Sequence, residues 1–284
     1  MRPLIDGDIL LHELGWSGQF KDKDTGEEVL LPFDTVQALL DEKIRLICED
    51  VGATEPPTLY LTNSVWLTKH LNKSQRYQDT PPCEFIENFR YKVAITKPYK
   101  GTRNNPKPYH FYNITTYLLA EYNCIVSRGG LEADDMMTLE QSRSDDTIIC
   151  SRDKDLRMCE GWHFSWECGK QRSVGPHYTD RLGSLGIGNN DKTLGYGLKM
   201  FFYQMLVGDT ADNIPGLPKV GDVRAFKLLQ DLSTEEEMFR AVQSLYKEKI
   251  GDGAREYFTE QMLLLWMKQE GADVYRFRKS VDEE

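Results

Sequence analysis

Glu132-Ala-Asp134-Asp135 lies between a glycine pair and an apolar-rich run that begins at Met136, and four other stretches place aspartates just past an apolar run. No other feature restricts the fold as much. Short apolar runs that stop at charged residues read as buried strands, and helical patterns between them make βαβ units and a parallel sheet. The stretches 2–6, 58–62, 124–126 and 146–151 read as such strands. Between the first two, Val36, Leu39, Leu40, Ile44 and Ile47 recur at helical spacing, with Asp34 the expected N-cap. In open α/β sheets, ligands gather at the carboxyl ends of strands. Asp6 with Asp8, and Asp153 with Asp155, would stand at such ends, and carboxylate clusters built this way bind hard divalent cations. The residues alone leave a second reading open. Acidic side chains are favoured at a helix N-terminus, and Asp6-Gly-Asp8 is also an ordinary solvated turn.

Charge is unevenly spread. The chain of 284 residues has a net charge of −10, yet the window from Trp66 to His110 holds nine Lys/Arg against three Asp/Glu. Its densest part, about residues 84–112, carries Arg90, Lys92, Lys97, Lys100, Arg103 and Lys107 among prolines and aromatics such as Tyr99. This reads as a mobile basic segment whose cations would neutralise phosphates and whose tyrosines would stack on unpaired bases. A solvated basic loop is the plainer alternative. Six cysteines with no C-x-x-C pair argue for free thiols in a reducing cytoplasm, and against a zinc site or a disulfide framework. No apolar run approaches a membrane span, and the N-terminus does not read as a signal peptide, so no membrane partner is expected.

Residues 13–33 read as a loop. Residues 109–120 and 132–143 read as helices, and 161–174 as a strand or hairpin in which Trp162, Phe164 and Trp166 alternate with other residues. The stretch 183–197, rich in glycine and asparagine, marks an expected boundary between a domain at 1–190 and a helical region at 191–284. There a helix at 198–207 runs into Gly208-Asp209-Thr-Ala-Asp212-Asn-Ile-Pro-Gly216-Leu-Pro-Lys219-Val-Gly221, and a new helix starts at Val223. Such a turn aims several backbone N–H groups at one phosphate, with Lys219, Arg224 and Lys227 adding charge. Two further helices are expected at roughly 234–249 and 252–269.

Laid side by side, these stretches resemble the 5′-nuclease superfamily, which includes flap endonucleases, the 5′ nuclease domain of bacterial DNA polymerase I and phage 5′-3′ exonucleases. Ile5-Asp6-Gly7 is similar to the first metal-site motif. Tyr99-Lys100-Gly101-x-Arg103 is similar to the segment of the helical arch that closes over single-stranded 5′ ends. Glu132-Ala-Asp134-Asp135 and Asp153-x-Asp155 resemble the next two acidic motifs. Gly208-Asp209-x-x-Asp212-Asn-Ile-x-Gly216 resembles the last one, running into the helix-hairpin-helix that grips duplex DNA. The likeness extends from Leu4 to about Leu229, and Asp6-Gly7-Asp8 brings it nearest to the exonucleases of short-tailed phages. It implies an α/β fold with a PIN-like, mostly parallel central sheet flanked by helices and a C-terminal helix-hairpin-helix region. Three departures stand out. Asn63 takes the place of a usual aspartate, with Asp8 as the expected compensation. An arginine usual after the first motif is absent, with His12-Glu13 nearby. Lys219 replaces a common hairpin glycine.

The resemblance implies hydrolysis by two magnesium ions, with manganese as a substitute; two-ion sites hold their metals about 4 Å apart. It places one ion among Asp6, Glu132, Asp134 and Asp153, with Asp8 beside them, and the other nearer Asp155, Asp209 and Asp212, with Asp135 serving either. Lys100 and Arg103 would stabilise the scissile phosphate. Arg90, Lys92, Lys97, Tyr99, Lys107, Gly216, Lys219, Gly221, Arg224 and Lys227 would contact DNA. The implied substrates are 5′ ends, flaps, nicked or gapped duplex and RNA in hybrids, acted on by a monomer in the cytoplasm, that of a bacterial host if the source is a phage. A PIN-type ribonuclease would lack the hairpin and the arch. A non-catalytic DNA-structure-binding relative has Asn63 as its support.

Overall fold

The computed structural model describes residues 1–73, 84–188 and 193–270. Cys83 and the centre of the expected boundary at 183–197 lie outside them. The chain opens with β1 (Arg2–Asp6), which turns at once into α1 (Gly7–Ser17). Glycine at position 7 is a packing requirement, since a Cβ there would lie 2.7 Å from the Tyr60 carbonyl oxygen and 2.7 Å from Leu61 Cδ2. A hairpin, β2 (Gln19–Lys21) and β3 (Glu28–Leu30), leads to α2 (Phe33–Asp50). The expected loop at 13–33 is therefore the end of a helix plus a hairpin. Asp34 is not the cap of α2; Pro32 takes that position and Asp34 falls in the first turn.

Next come β4 (Thr58–Leu61), α3 (Val65–Lys73) and the short α4 (Phe89–Val93). Then follow α5 (Phe111–Glu121), β5 (Asn123–Val126), α6 (Ala133–Gln141) and β6 (Thr147–Cys150). A single 3-10 turn at Asp155–Met158 precedes β7 (Gly161–Ser165) and β8 (Val174–Thr179). The sheet order is β5-β4-β1-β6-β7-β8, and the pairings of β4 with β5, β1 with β4, β1 with β6 and β6 with β7 are parallel. All four residues of β4 and of β6 are buried, as strands covered on both faces require. The expected mostly parallel α/β sheet is present.

The rest of the chain is β9 (Leu185–Ile187) and β10 (Thr193–Gly195), paired antiparallel, then α7 (Gly197–Val207), α8 (Asp222–Leu229), α9 (Glu235–Ile250) and α10 (Ala254–Leu265). The chain divides into two compact units. The first comprises Met1–Glu87, Asn105–Arg152 and Trp162–His177, with a core of Ile5, Leu10, Leu40, Leu59, Ile114 and Ile148. The second comprises Asn88–Asn104, Asp153–Gly161 and Tyr178–Glu284, with a core of Phe201, Met205, Leu229, Val242 and Tyr246. Among the described residues no helix is long and apolar enough to cross a membrane. Cys48, Cys124, Cys150, Cys159 and Cys168 are free thiols, as expected.

Most of the basic segment does not run free. Residues 88–104 pack into the second unit, where the N–H groups of Ile95 and Thr96 donate to Glu260 at 2.7 Å each. Arg90 is 1% exposed. Its guanidinium donates to the carbonyls of Leu264 at 3.0 Å and Trp266 at 2.9 Å, at the C-terminal end of α10. A cation there meets carbonyls that lack a helical partner and the negative end of the helix dipole. Arg90 is thus a structural clip rather than a DNA contact, which corrects the expectation from sequence. Arg90→Met strands those carbonyls in the interior, so it is expected to lower the unfolding free energy by about 2–4 kcal/mol. Urea denaturation of the two proteins measures this.

Candidate active site

In the first unit the acidic residues gather where β1 and β4 run into helices. Asp6 is 2% exposed. It accepts from the Ile9 N–H at 3.1 Å, capping α1, and from Ser151 Oγ at 2.7 Å, just past β6. Asp8 accepts the Thr62 N–H with both oxygens, at 3.1 and 3.2 Å. Thr62 Oγ1 in turn accepts the Ala133 N–H at 2.9 Å. Thr62 therefore ties the start of α1 to the start of α6, where Glu132 and Asp135 close a capping box and Asp135 accepts the Glu132 N–H at 3.2 Å. Asp134 occupies the first turn of α6 and is half-buried. Asn63 Oδ1 accepts from the Ser64 N–H at 2.8 Å and Thr68 Oγ1 at 3.0 Å, so its amide serves the start of α3. These contacts bring Asp6, Asp8, Asn63 and the Glu132–Asp135 turn to one end of the sheet.

The second unit holds the other acidic set, organised by α7 and the loop after it. Asp209 and Ile214 exchange backbone hydrogen bonds of 2.8 and 2.7 Å, closing a tight turn. Gly208 and Gly216 let its two ends touch. Both have positive φ, and a Cβ on Gly216 would lie 2.3 Å from the Gly208 nitrogen. Lys154 Nζ donates to Asp155 at 2.7 Å and forms an ion pair with Asp209. Gln204 on α7 donates to Asp155, and the Asp155 N–H donates to Asp153 at 2.9 Å. Burial, above all, pushes the Asp153 carboxyl above its usual range, and the charges of Asp212 and Asp209 add to this. Burial and then the charge of Asp153 push Asp155 up to about 8. Burial also opposes ionisation of Asp209, but hydrogen bonding and attraction to Lys154 outweigh it and leave that carboxyl below its usual range.

The Tyr99-Lys100-x-x-Arg103 stretch meets this acidic loop directly. Tyr99, 3% exposed, donates from its hydroxyl to Asp212 at 2.9 Å, and Arg103 forms an ion pair with the same carboxylate. The Lys100 N–H donates to the Asp212 carbonyl at 2.9 Å, and the Asn213 amide to the Pro98 carbonyl at 2.9 Å. Two motifs separated by about a hundred residues are thus one interlocked structure. Tyr99 is a strut of that structure rather than a stacking ring, a second correction to the sequence reading. Lys92, Lys97, Lys107, Lys219, Arg224 and Lys227 are exposed, as is Gly221, and Gly216 is buried in the turn. Lys154 and Gln204 were missed. A lysine between two aspartates is the signal that would have found the first; nothing in the sequence marks the second.

Among the described residues no three His, Cys, Asp or Glu side chains are grouped as a metal site. Asp6, Asp8, Asp135 and Asp153 accept from N–H groups, Asp6 also from a hydroxyl, and Asp155, Asp209 and Asp212 meet Lys154 or Arg103. The donor set nevertheless suits a hard divalent cation. It consists of oxygens, with the carboxylates of Asp155 and Asp209 on Lys154 and that of Asp153 on the Asp155 N–H in the second unit.

This fold is shared with a protein of known structure. The T5 D15 protein co-crystallised with metal ions superposes with a TM-score of 0.51, 14% sequence identity, and coverage of 92% of this chain and 89% of that one. A second structure of that protein, named as a flap endonuclease with DNA and metal ions, gives a TM-score of 0.45 at 14% identity over 93% of this chain and 98% of that one. In sequence, the chain is similar to DNA polymerase I of Bacillus caldotenax, 26% identical in an alignment 234 positions long that covers 73% of this chain and 24% of the polymerase. The chain therefore spans about a quarter of that relative's length. No family model matches it. The structural comparison thus establishes a shared fold, and the sequence comparison a likeness to part of a DNA polymerase I.

The raised Asp155 makes a pH-dependent prediction for the metal-free protein. Its folded pKa of about 8 exceeds the ordinary value of 3.8. Between those values the native state holds a proton that the unfolded chain has lost, so stability falls as pH rises through that window. Asp155→Asn removes the penalty. In chelator it is expected to melt several degrees above the wild type at pH 8.5 and to converge on it near pH 4, which thermal melts across pH will show.

Proposed function

We propose that this chain is a divalent-metal-dependent 5′ nuclease that hydrolyses phosphodiester bonds at the 5′ ends of duplex or flapped DNA, and of RNA in hybrids. The observation that carries the proposal is the interlock of Tyr99-Lys100-x-x-Arg103 with Asp212 beside Asp153, Asp155 and Asp209. It places cationic side chains next to a carboxylate cluster, the pairing that phosphodiester hydrolysis needs. The likeness to part of a DNA polymerase I supports a protein that acts on DNA. Asp6, Asp8, Glu132, Asp134 and Asp135 in the first unit would hold magnesium or manganese. In the second unit Asp153, Asp155, Asp209 and Asp212 would do the same. Bound divalent ions supply a hydroxide nucleophile and relief of charge on the leaving oxygen.

Arg103 and Lys100 hold the scissile phosphate. Arg103 is half-exposed and already engaged with Asp212, so a phosphate oxygen competes for a guanidinium whose position is set. Lys219, Arg224 and Lys227 on the hairpin and α8 neutralise backbone phosphates of the duplex, which gives selectivity for structure with little for sequence. Asp8 supplies a carboxylate at the end of β4, where Asn63 brings none. The protein acts as a monomer in the cytoplasm, and the hairpin after Asp212 with α8, both in the second unit, grips DNA.

The test is incubation with a 5′-labelled flap and a 5′-labelled duplex, with magnesium and with chelator. Release of mononucleotides or short oligomers only with metal is expected. Asp6→Asn and Asp209→Asn should each cut cleavage by about 100-fold or more, and the double variant should be scarcely slower, as groups acting in one step behave. Cleavage of RNA alone would favour a PIN-type ribonuclease, and binding without cleavage a non-catalytic DNA-binding protein. By titration calorimetry, Asp8→Ala is expected to bind magnesium several-fold more weakly than wild type. Equal affinity removes Asp8 from the metal site.

A further inference from the structure

The first unit carries a run of touching rings that the acidic sites do not use. Trp66 and His70, one turn apart on α3, are stacked with centroids 5.0 Å apart at 16°. Tyr112, at the start of α5, lies 4.5 Å from Trp66, and the run continues through Phe111 at 5.5 Å to His12 on α1 at 5.2 Å. The Lys107 ammonium sits over two of these rings, 4.2 Å from the Phe111 centroid and 5.0 Å from that of Tyr112. Tyr112 is 41% exposed, Lys107 and His12 are exposed, and Trp66 and His70 are half-buried. Rings whose only task was to fill the core would be covered.

We infer that this ribbon, centred on Trp66, His70, Tyr112 and Lys107, is a platform on which bases of an unpaired DNA strand stack. Its chemistry selects that occupant. Every base offers a π-face to an aromatic ring whatever the sequence, and a phosphate between bases needs a cation nearby. The charge is one-sided. The nine residues of α3 carry Lys69, Lys73 and His70 and no carboxylate. Glu13, the acid next to His12, is occupied by Lys43 at 3.2 Å and by the Trp166 indole at 2.8 Å. The position also fits, for Trp66 stands three residues after Asn63 and His12 six after Asp6, on helices that begin at the acidic end of the sheet. This inference rests on DNA being the substrate, and it specifies where the single-stranded part lies.

The full chain in chelator is titrated with a short oligothymidylate and with an abasic oligomer of the same length. Binding is followed by tryptophan quenching and by anisotropy of the labelled oligomers. Wild type is expected to prefer the oligomer with bases and to be quenched by it, with the quench lost in Trp66→Phe. Tyr112→Leu should weaken oligothymidylate about tenfold or more and leave the abasic oligomer unchanged, while Tyr112→Phe behaves as wild type. Lys107→Gln should lower the salt slope of binding by about 0.7. The inference is overturned if wild type binds both oligomers alike, if Tyr112→Leu keeps the preference for bases, or if sedimentation shows a dimer that buries Tyr112. Melting curves of the variants separate loss of fold from loss of stacking. The two proposals fail separately. A chain that cuts flaps normally while Tyr112→Leu binds as wild type loses the platform alone. A chain that never cuts DNA but shows base-dependent binding lost in Tyr112→Leu loses the nuclease reading alone.

Discussion

Lys154 between Asp155 and Asp209 is the contact on which the second unit's acidic loop depends. Burial sets the main cost of ionising Asp153 and Asp155; the charges of Asp212 and Asp209 add to it at Asp153, and those of Asp153 and Asp209 at Asp155. Coulomb repulsion among such groups grows as the dielectric falls. Lys154 answers part of it, Arg103 answers the charge on Asp212, and Gln204 donates to Asp155. What remains is expressed in the raised carboxyls. Burial and crowding therefore burden the metal-free fold wherever these carboxyls ionise.

The first unit meets a different problem with the same residue type. The N-termini of α1 and α6 present N–H groups that no helical carbonyl can take. Asp6 accepts one at α1, and Asp135 with Glu132 closes a box at α6. Helix capping and ligation therefore do not exclude one another in these motifs. A carboxylate has two oxygens and about four acceptor sites, so a cap contact leaves capacity for a second partner. For Asp6 the second oxygen is held by Ser151, whose hydroxyl reorients at little cost. Thr62, accepting from α6 and donating to Asp8, fixes the spacing of these two helix starts.

Much of this was legible in the sequence. The strands at 58–61, 123–126 and 147–150 and the helices α2, α5, α6, α7, α8 and α9 follow from apolar periodicity and lie within a few residues of expectation. Helix α1 was hidden because Gly7 and Asp8 read as a turn; the glycine serves contact with β4, and the helix continues through it. Helix α3 was hidden by its polar residues. The basic segment was misread because positive charge was equated with exposure. Arg90 is buried by the carbonyls of α10, and Tyr99 by Asp212, partners far away in sequence that periodicity does not reveal. The acidic motifs were legible as motifs. Which oxygen faces which donor was not, because that depends on side-chain choices made only in the folded chain.

Backbone strain gives an independent reading of where the second unit is specialised. Among the described residues three that are not glycine have positive φ: Lys100 at 53°, Asn213 at 60° and Lys219 at 62°. A side chain in that region costs about 1–2 kcal/mol, and such strain persists where the surroundings hold the backbone and the site has a use for it. All three fall inside stretches whose chemistry points to phosphate or metal. Lys100 and Asn213 belong to the interlock around Asp212, where hydrogen bonds to Asp212, Thr210 and Pro98 hold the backbone and side chain. Lys219 lies between α7 and α8 with its side chain exposed, and glycine there would relieve the backbone but remove the charge.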